Sequence, residues 1–180
     1  MPNRPSADNA ADSVILVDAD DRPLGTAPKL DAHRRGLMHR AISVVVRDDR
    51  GRLMLQRRAL AKYHSGGLWT NTCCSHPRPR EDTHAAASRR LAEEMGFGCD
   101  LTFLFRTHYR AQVSNDLIED EVVHVFGGRH DGAPDPDPGE VAEWRWMSAD
   151  ELARDVAERP EIYTVWFRKY CSQFWDAMVG

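Results

Sequence analysis

In the run Trp69-Thr70-Asn71-Thr72-Cys73-Cys74-Ser75-His76-Pro77, a thiol and an imidazole stand two residues apart. An extended backbone therefore points Cys74 and His76 to one side. The segment Leu117 to Val123 does the same for the carboxylates of Glu119 and Glu121. Thiol, imidazole and paired carboxylates are equipment for metal-assisted proton transfer. His33 and His39 flank Arg34 to Met38 just ahead of an apolar run. With His76 and the two glutamates they make three imidazoles and two carboxylates. That donor set suits the octahedral shell of Mn²⁺ or Mg²⁺, whereas zinc more often takes four ligands. His64, His84, His108, His124 and His130 have no such partners in sequence, and His124, opposite in parity to Glu119 and Glu121, is expected to face away.

The elements that must position these groups can be read in outline. Ser13 to Asp18 reads as a short strand ended by the turn-forming Asp20 to Pro23. Ala41 to Arg47 reads as an apolar strand, Asp48 to Gly51 as a hairpin turn, and Arg52 to Arg58 as a strand of period two. From Asp82 to Met95 the pattern is helical, with Asp82 or Thr83 as cap and Gly96 as terminator. Strands are expected at Leu101 to Arg110, Leu117 to Gly127 and Glu140 to Met147, the last after a loop marked by Pro134, Pro136 and Pro138. Ser148 to Glu151 opens a helix with a capping-box signature, and one amphipathic helix is expected from about Glu161 to Met178. The order lacks a regular βαβ alternation, so the expected class is α+β, a mixed-sheet sandwich flanked by helices.

The 180 residues suit one domain with a proper core, residues 13–180, after a polar tail, residues 1–12, expected to be flexible. A net charge of −4 gives no case for nucleic acid or an anionic membrane, so an anionic ligand must be met by a local basic cluster. There is no apolar run long enough for a transmembrane span. The four cysteines, including adjacent Cys73 and Cys74, show no disulfide framework, which points to a reducing cytoplasm. A monomer or weak homodimer is expected.

The spacing Glu81, Arg89, Glu93, Glu94, Gly96 resembles the Nudix box, with two departures. Ser75 stands at the first glycine position. Arg90 stands where a metal-collecting glutamate belongs, and a cation there argues against pyrophosphate hydrolysis. Asn71-Thr72-Cys73-Cys74-Ser75-His76-Pro77, Tyr109-Arg110-Ala111 ahead of Glu119-Asp120-Glu121, and Gly36 to Ser43 are similar to three motifs of type I isopentenyl diphosphate isomerases, a branch of the Nudix superfamily. The resemblance runs from about Lys29 to Trp166. It implies a Nudix-type fold and interconversion of isopentenyl and dimethylallyl diphosphate. It also implies a Mn²⁺ or Mg²⁺ site (Zn²⁺ being the alternative ion) at His33, His39, His76, Glu119 and Glu121. The catalytic thiol falls on Cys74 and the catalytic carboxylate on Glu121, with Tyr109 beside it. Glu94, with the backbone of Cys74, holds a Mg²⁺ on the substrate diphosphate. Lys29, Arg58, Lys62 and Arg90 meet the diphosphate, and Trp166 covers the reacting carbon.

Two other readings compete. A Nudix hydrolase would keep the helix but not need the cysteine motif. A zinc-stabilised binding module would use Cys73, Cys74, His76 and His33, without the paired spacing such sites usually show. More plainly, Arg57, Arg58 and Lys62 could form a solvated basic face, and Cys73 and Cys74 could be two buried hydrophobes.

Overall fold

The structure is a computed structural model and describes residues 13–180. The expected tail, residues 1–12, lies outside the described residues. At its centre is strand β3 (His39–Arg47), whose unbroken apolar run is explained by burial on both faces. Ala41 and Val45 point into a core shared with the C-terminal helices. Ile42, Val44 and Val46 point into a second core under α2 (Thr83–Met95). β8 (Ile118–Arg129) runs parallel to β3 from the pair His39–Glu121 to the pair Arg47–Arg129. β7 (Leu101–Gln112) pairs antiparallel with the far edge of β8. On the other edge of β3, the short β6 (Cys73–Ser75) pairs antiparallel and sets Cys74 opposite Ser43.

The expected hairpin opens almost at once. β3 and β4 (Leu53–Arg58) share only the pair Arg47–Leu53. Beyond it β4 turns to β9 (Val141–Met147) and to the short β5 (Trp69–Thr70). The sheet thus splits into two halves with helices on both sides, and the expected α+β, mixed-sheet class holds.

Most of the expected elements are present. The Asp82 side chain caps α2, and Gly96 closes it in the left-handed region at φ 74°. Ser148 and Glu151 form the full capping box of α3 (Ala149–Glu158). Two N-terminal elements were not legible: β2 (Pro23–Pro28), which pairs with β1 (Ser13–Val17), and α1 (Lys29–Arg35). The single C-terminal helix is corrected to three pieces. A 3₁₀ turn at Pro160–Ile162 leads through extended Tyr163 and Thr164 into α4 (Val165–Gln173) and α5 (Trp175–Val179). The cause is tertiary, for Tyr163 bridges Trp69 and the Thr164 amide donates to the Trp69 carbonyl at 3.0 Å. Phe174 then leaves the helix and stacks on Phe105 at 4.1 Å.

Candidate active site

Strand parity gathers the site on one face. Glu119 and Glu121 share a face of β8 with the core residues Val123 and Val125, and His124 faces the other way, 2.7 Å from Asp21. Tyr109 lies across from Glu121 in the β7–β8 register, and His39 lies across from it on β3. α1 holds Lys29 and His33 four residues apart, both buried. Gly36, at φ 60°, then turns the chain so that His39 opens β3; a side chain there would also meet Arg110 and Ile118.

The imidazoles converge on Glu121. Its Oε1 lies 2.9 Å from His76 Nε2, 3.3 Å from His39 Nε2 and 3.8 Å from His33 Nε2. His39 and His76 face each other through Nε2 atoms 3.2 Å apart. His33 and His39 bond through Nδ1 to the carbonyls of Lys29 and Leu37 at 2.8 and 2.7 Å. A carbonyl only accepts, so each Nδ1 carries the hydrogen and each Nε2 turns a lone pair inward. Lone pairs this close to a carboxylate repel unless a cation lies between them. Donors ~2.1 Å from one ion and at right angles are ~3.0 Å apart, near the spacings seen here. The donor set therefore fits a divalent ion held by His33, His39, His76 and Glu121. Neither donor group among the described residues includes a cysteine, which removes the support for a module built on Cys73 and Cys74.

The Tyr109 hydroxyl bridges the carboxylates, 2.9 Å from Glu119 Oε2 and 2.8 Å from Glu121 Oε2. Burial and the charge of Glu121 push the Glu119 carboxyl well above the usual range. Burial also works to raise Glu121, but hydrogens on the facing Nε2 atoms of His33, His39 and His76 outweigh it and hold that carboxyl well below, and a divalent ion in place of those hydrogens acts in the same direction. Burial lowers His76 to about 3, so its imidazole is neutral, as a ligand must be.

Cys74 is the next donor along the same face. Its Sγ receives the Trp166 indole N–H at 3.2 Å, touches Ser43 Oγ at 3.3 Å and lies 3.1 Å from Asn71 Oδ1. Asn71 donates its amide hydrogens to the Val44 and Cys73 carbonyls, so its oxygen is fixed toward the thiol. Burial pushes Cys74 up to about 11, and the thiol keeps its proton at neutral pH. Cys73, of opposite parity, is buried in the core under α2. Trp166 reaches the thiol from the first turn of α4, a turn placed by the Thr164 hydroxyl on Thr70 at 3.1 Å.

Cys74, His76, Tyr109, Glu119, Glu121 and Trp166 line a cleft of about 360 Å³, with Lys29, Arg58, Tyr63, His64 and Tyr170 in its walls. Arg58 stacks over Trp166 at 5.4 Å. Lys62 and Arg90, read from sequence as diphosphate cations, stand outside that lining. Lys62 is paired with Glu140, and Arg90 is buried among Glu93, Glu94 and Glu140 at 2.9, 2.6 and 3.3 Å. Glu94 is held from its other oxygen by Gln56 at 3.0 Å. The bland reading of a solvated basic face fails for Arg58 and Lys62, both buried.

Sequence reasoning set His64 aside, yet its Nε2 lies 3.3 Å from Glu119 Oε1 in the cleft wall. Its partners come from distant parts of the chain, and only its place between Arg58 and the cysteine motif hinted at the site. Glu140 was missed because it reads as an ordinary surface acid. Tyr170, whose hydroxyl meets Ser43 at 3.0 Å, had one signal, its helical spacing from Trp166.

Known proteins share the sequence and the fold of this chain. The NUDIX domain model matches residues 37–167. The chain is 56% identical over 154 residues to the isopentenyl-diphosphate Delta-isomerase of Burkholderia multivorans, covering 86% of this chain and 88% of that protein. It is 54% identical to isopentenyl-diphosphate Delta-isomerase 1 of Aromatoleum aromaticum, with the same coverage. Among solved structures it resembles DR0079 from Deinococcus radiodurans at a TM-score of 0.76 and 17% identity, over 90% of this chain and 98% of that one. It also resembles the MutT NUDIX hydrolase of Burkholderia pseudomallei at a TM-score of 0.60 and 22% identity, over 76% and 97%. At those identities the likeness shows the fold alone. With a NUDIX domain over most of its length and relatives above half identity along nearly all of theirs, the chain belongs to the isopentenyl-diphosphate Delta-isomerase family of NUDIX-domain proteins.

Proposed function

We propose that the protein interconverts isopentenyl diphosphate and dimethylallyl diphosphate. The observation that carries this reading is one cleft holding both the Cys74 thiol and the Tyr109-bridged Glu119–Glu121 pair. Shifting the double bond adds a proton to one alkene carbon and removes another proton two carbons away, through a tertiary carbocation. Two proton-handling groups must reach a flat five-carbon unit from different sides. Cys74 and Glu121, the latter relayed by Tyr109, are the pair we assign. Whichever group gives the proton in one direction receives it in the reverse. The Trp166 ring face offers the cation an attraction of ~2 kcal/mol when desolvated. Buried walls exclude the water that would convert it to an alcohol.

Lys29 and Arg58, the cations in the cleft wall, would meet the diphosphate, and Lys62 and Arg90 could join only by exchanging their carboxylate partners. His33, His39, His76, Glu119 and Glu121 would hold Mn²⁺ or Mg²⁺, with Zn²⁺ the alternative. When bound, the ion supplies positive charge that fixes Glu121 and tunes its acidity. Glu94 would take a Mg²⁺ that accompanies the diphosphate. The four free cysteines suit a reducing cytoplasm, and no helix among the described residues is long and apolar enough to cross a membrane.

The test is deuterium exchange into isopentenyl diphosphate in D₂O, with phosphate release followed in parallel. Incorporation at both allylic positions without phosphate release is expected. Release without exchange would move the protein to the hydrolases. Glu121→Gln should keep the fold and lose turnover by about 10²–10⁴-fold, because an amide cannot pass a proton; near-normal exchange in that variant would remove Glu121 from the chemistry.

A further inference from the structure

On the face of the sheet away from the cleft, one carboxylate gathers cations from three strands. Asp21, in the turn between β1 and β2, accepts from Arg40 Nε at 2.7 Å through Oδ1 and from His124 Nε2 at 2.7 Å through Oδ2. Arg106 Nη1 stands 3.7 Å from the same Oδ2, and Arg40 Nη2 donates to the Asp21 carbonyl at 2.6 Å. Arg40 belongs to β3, Arg106 to β7 and His124 to β8. The Asp21 side chain is 8% exposed and that of Arg40 15%, so their charge-assisted bonds are largely sheltered from water and salt. Asp21 is held at φ 66°, a left-handed conformation uncommon outside glycine. The turn is braced by the Asp18 carboxylate, which accepts the Asp20 and Arg22 amides at 2.9 Å. A solvated hairpin turn has no use for a buried carboxylate, but a latch has.

The latch holds a unit of three elements. β2 is the edge strand and pairs with β1 from Ser13–Pro28 to Val17–Pro23. α1 follows Pro28 without a linker and packs Ala32 on Val14 and Ala27 of the hairpin. The unit carries two buried groups of the site: Lys29 lines the cleft, and His33 Nε2 lies 3.8 Å from Glu121 Oε1. Its backbone tie to the rest of the sheet is thin. β1 meets β3 at the pair Leu16–His39, and the Val17 amide donates to the Met38 carbonyl at 3.1 Å. Ile15 and Val17 pack on Val122 and Met38, and Arg110 donates to the Gly36 carbonyl at 3.2 Å. Asp21 adds a charged attachment at the turn end of the hairpin. It grips Arg40, the residue that follows His39.

We infer that Asp21 is a positioning residue of the reaction: by latching the β1–β2 turn to Arg40, His124 and Arg106, it keeps the β1–β2–α1 unit seated so that Lys29 and His33 reach the cleft. Asp21 itself lies on the far face of the sheet and touches no reacting atom. Without its carboxylate, three cationic or imidazole groups lose their common acceptor, and the hairpin is left to one strand pair and a few apolar contacts. The unit then spends part of its time displaced. A ligand that needs Lys29 or His33 binds the seated form, so its apparent affinity falls by the seated fraction. Once bound it holds the unit in place, so the rate at saturation stays close to that of the wild type. The signature of the latch is therefore weaker binding with a preserved kcat.

The inference rests on the isomerase reading and the metal centre proposed above. The experiment compares the full chain with Asp21→Ala, Asp21→Asn and, as control, Arg22→Ala, an exposed arginine of the same turn that pairs with Asp18 and Asp20. Three quantities are measured well below each melting transition: amide hydrogen exchange along the chain, Mn²⁺ affinity against a competing chelator, and KM and kcat for isopentenyl diphosphate at saturating Mn²⁺. Asp21→Ala should speed exchange in residues 13–38 while β3, β8 and α2 keep their protection. It should weaken Mn²⁺ binding and raise KM, each by at least about 5-fold, with kcat within about 2-fold of wild type. Asp21→Asn keeps one acceptor for Arg40, so it should fall between, and it carries the test if Asp21→Ala does not fold. Arg22→Ala should match the wild type throughout. A lowered melting temperature with wild-type KM and Mn²⁺ affinity would make Asp21 a residue of stability alone and overturn the inference. Faster exchange spread evenly over the sheet, or a loss of kcat at unchanged KM, would overturn it as well. A wild type that does not turn over isopentenyl diphosphate would defeat the isomerase reading instead, and exchange with Mn²⁺ affinity would still decide on the latch. A wild type that binds no Mn²⁺ would defeat the metal centre, with exchange and KM left to decide.

Discussion

Adjacent cysteines have opposite fates because a strand alternates. Cys74 faces the cleft with its sulfur in contact with Trp166, Ser43 and Asn71, whereas Cys73 is sealed in the core beneath α2. Cys74→Ala should therefore cost about 10²–10⁴-fold in kcat with little change in melting temperature. Cys73→Ala should keep kcat within about 2-fold and lose about 1 kcal/mol of stability, as small core truncations do. Steady-state kinetics and thermal melts on both variants check this, and equal losses of activity would undo the parity argument. Parity was legible in the bare sequence. The neighbours that set the acidity of the thiol were not, since Ser43, Asn71 and Trp166 meet it only through β3, the β5–β6 turn and α4.

The helix α2 shows how far element-level reading reaches. Its cap, its terminator and the i,i+4 pairs Arg89–Glu93 and Arg90–Glu94 were all expected, and they are present at 3.0 and 2.6 Å. What a helical wheel could not supply was the third partner, Glu140, which arrives from the loop before β9 and closes a buried network with Lys62. Arg90 is consequently a structural cation as well as a candidate for the diphosphate. Arg90→Glu would set a carboxylate among Glu93, Glu94 and Glu140 in a buried site. Losses from breaking buried pairs run to ~3–5 kcal/mol, so the melting temperature should fall by at least about 6 °C. A wild-type melt with only a raised KM would return Arg90 to an open cleft wall.

At the scale of the molecule, the β4–β5–β9 half of the sheet is tied to the C-terminal helices by charge as well as by packing. Arg145 on β9 stacks over Trp69 at 4.1 Å and reaches Asp155 on α3 at 3.2 Å, and Asp155 also receives Arg159 and the Tyr163 hydroxyl. Burial works to raise the Asp155 carboxyl, but the hydrogen bonds of Tyr163 and Arg159 outweigh it and leave it lowered. A carboxyl lowered by folding stabilises above its unfolded value and loses that contribution as pH falls through the folded one. Asp155→Asn should therefore lower the urea midpoint at pH 7, and the gap to wild type should close as the pH drops below the unfolded carboxylate value of ~3.9. A gap independent of pH would show that the amide disturbs packing instead. A bound divalent ion should act on the whole fold through linkage: at a free concentration about 100-fold above its Kd it adds ~2.7 kcal/mol. Chelation should lower the melting temperature, and Mn²⁺ should restore it.

The sequence by itself determined the class of fold, the strand and helix faces, the cysteine motif and the carboxylate pair, because local periodicity and spacing encode which side a residue faces. It set Cys74 with His76, and Glu119 with Glu121, on one side of their strands for the same reason, and the motif resemblance added His39 and Tyr109 to them. Tertiary structure alone decided the rest. His64 has no local pattern, and its meeting with Glu119 depends on a loop pinned to the β7–β8 turn. The C-terminal helix broke where Tyr163 and Thr164 were drawn to Trp69, a contact between residues far apart in the chain. The β3–β4 hairpin parted after one pair because β6 takes that edge of β3 and β5 takes that edge of β4. Pairings of that range are settled by the competition among distant segments for the same edge, and no window of sequence contains both competitors.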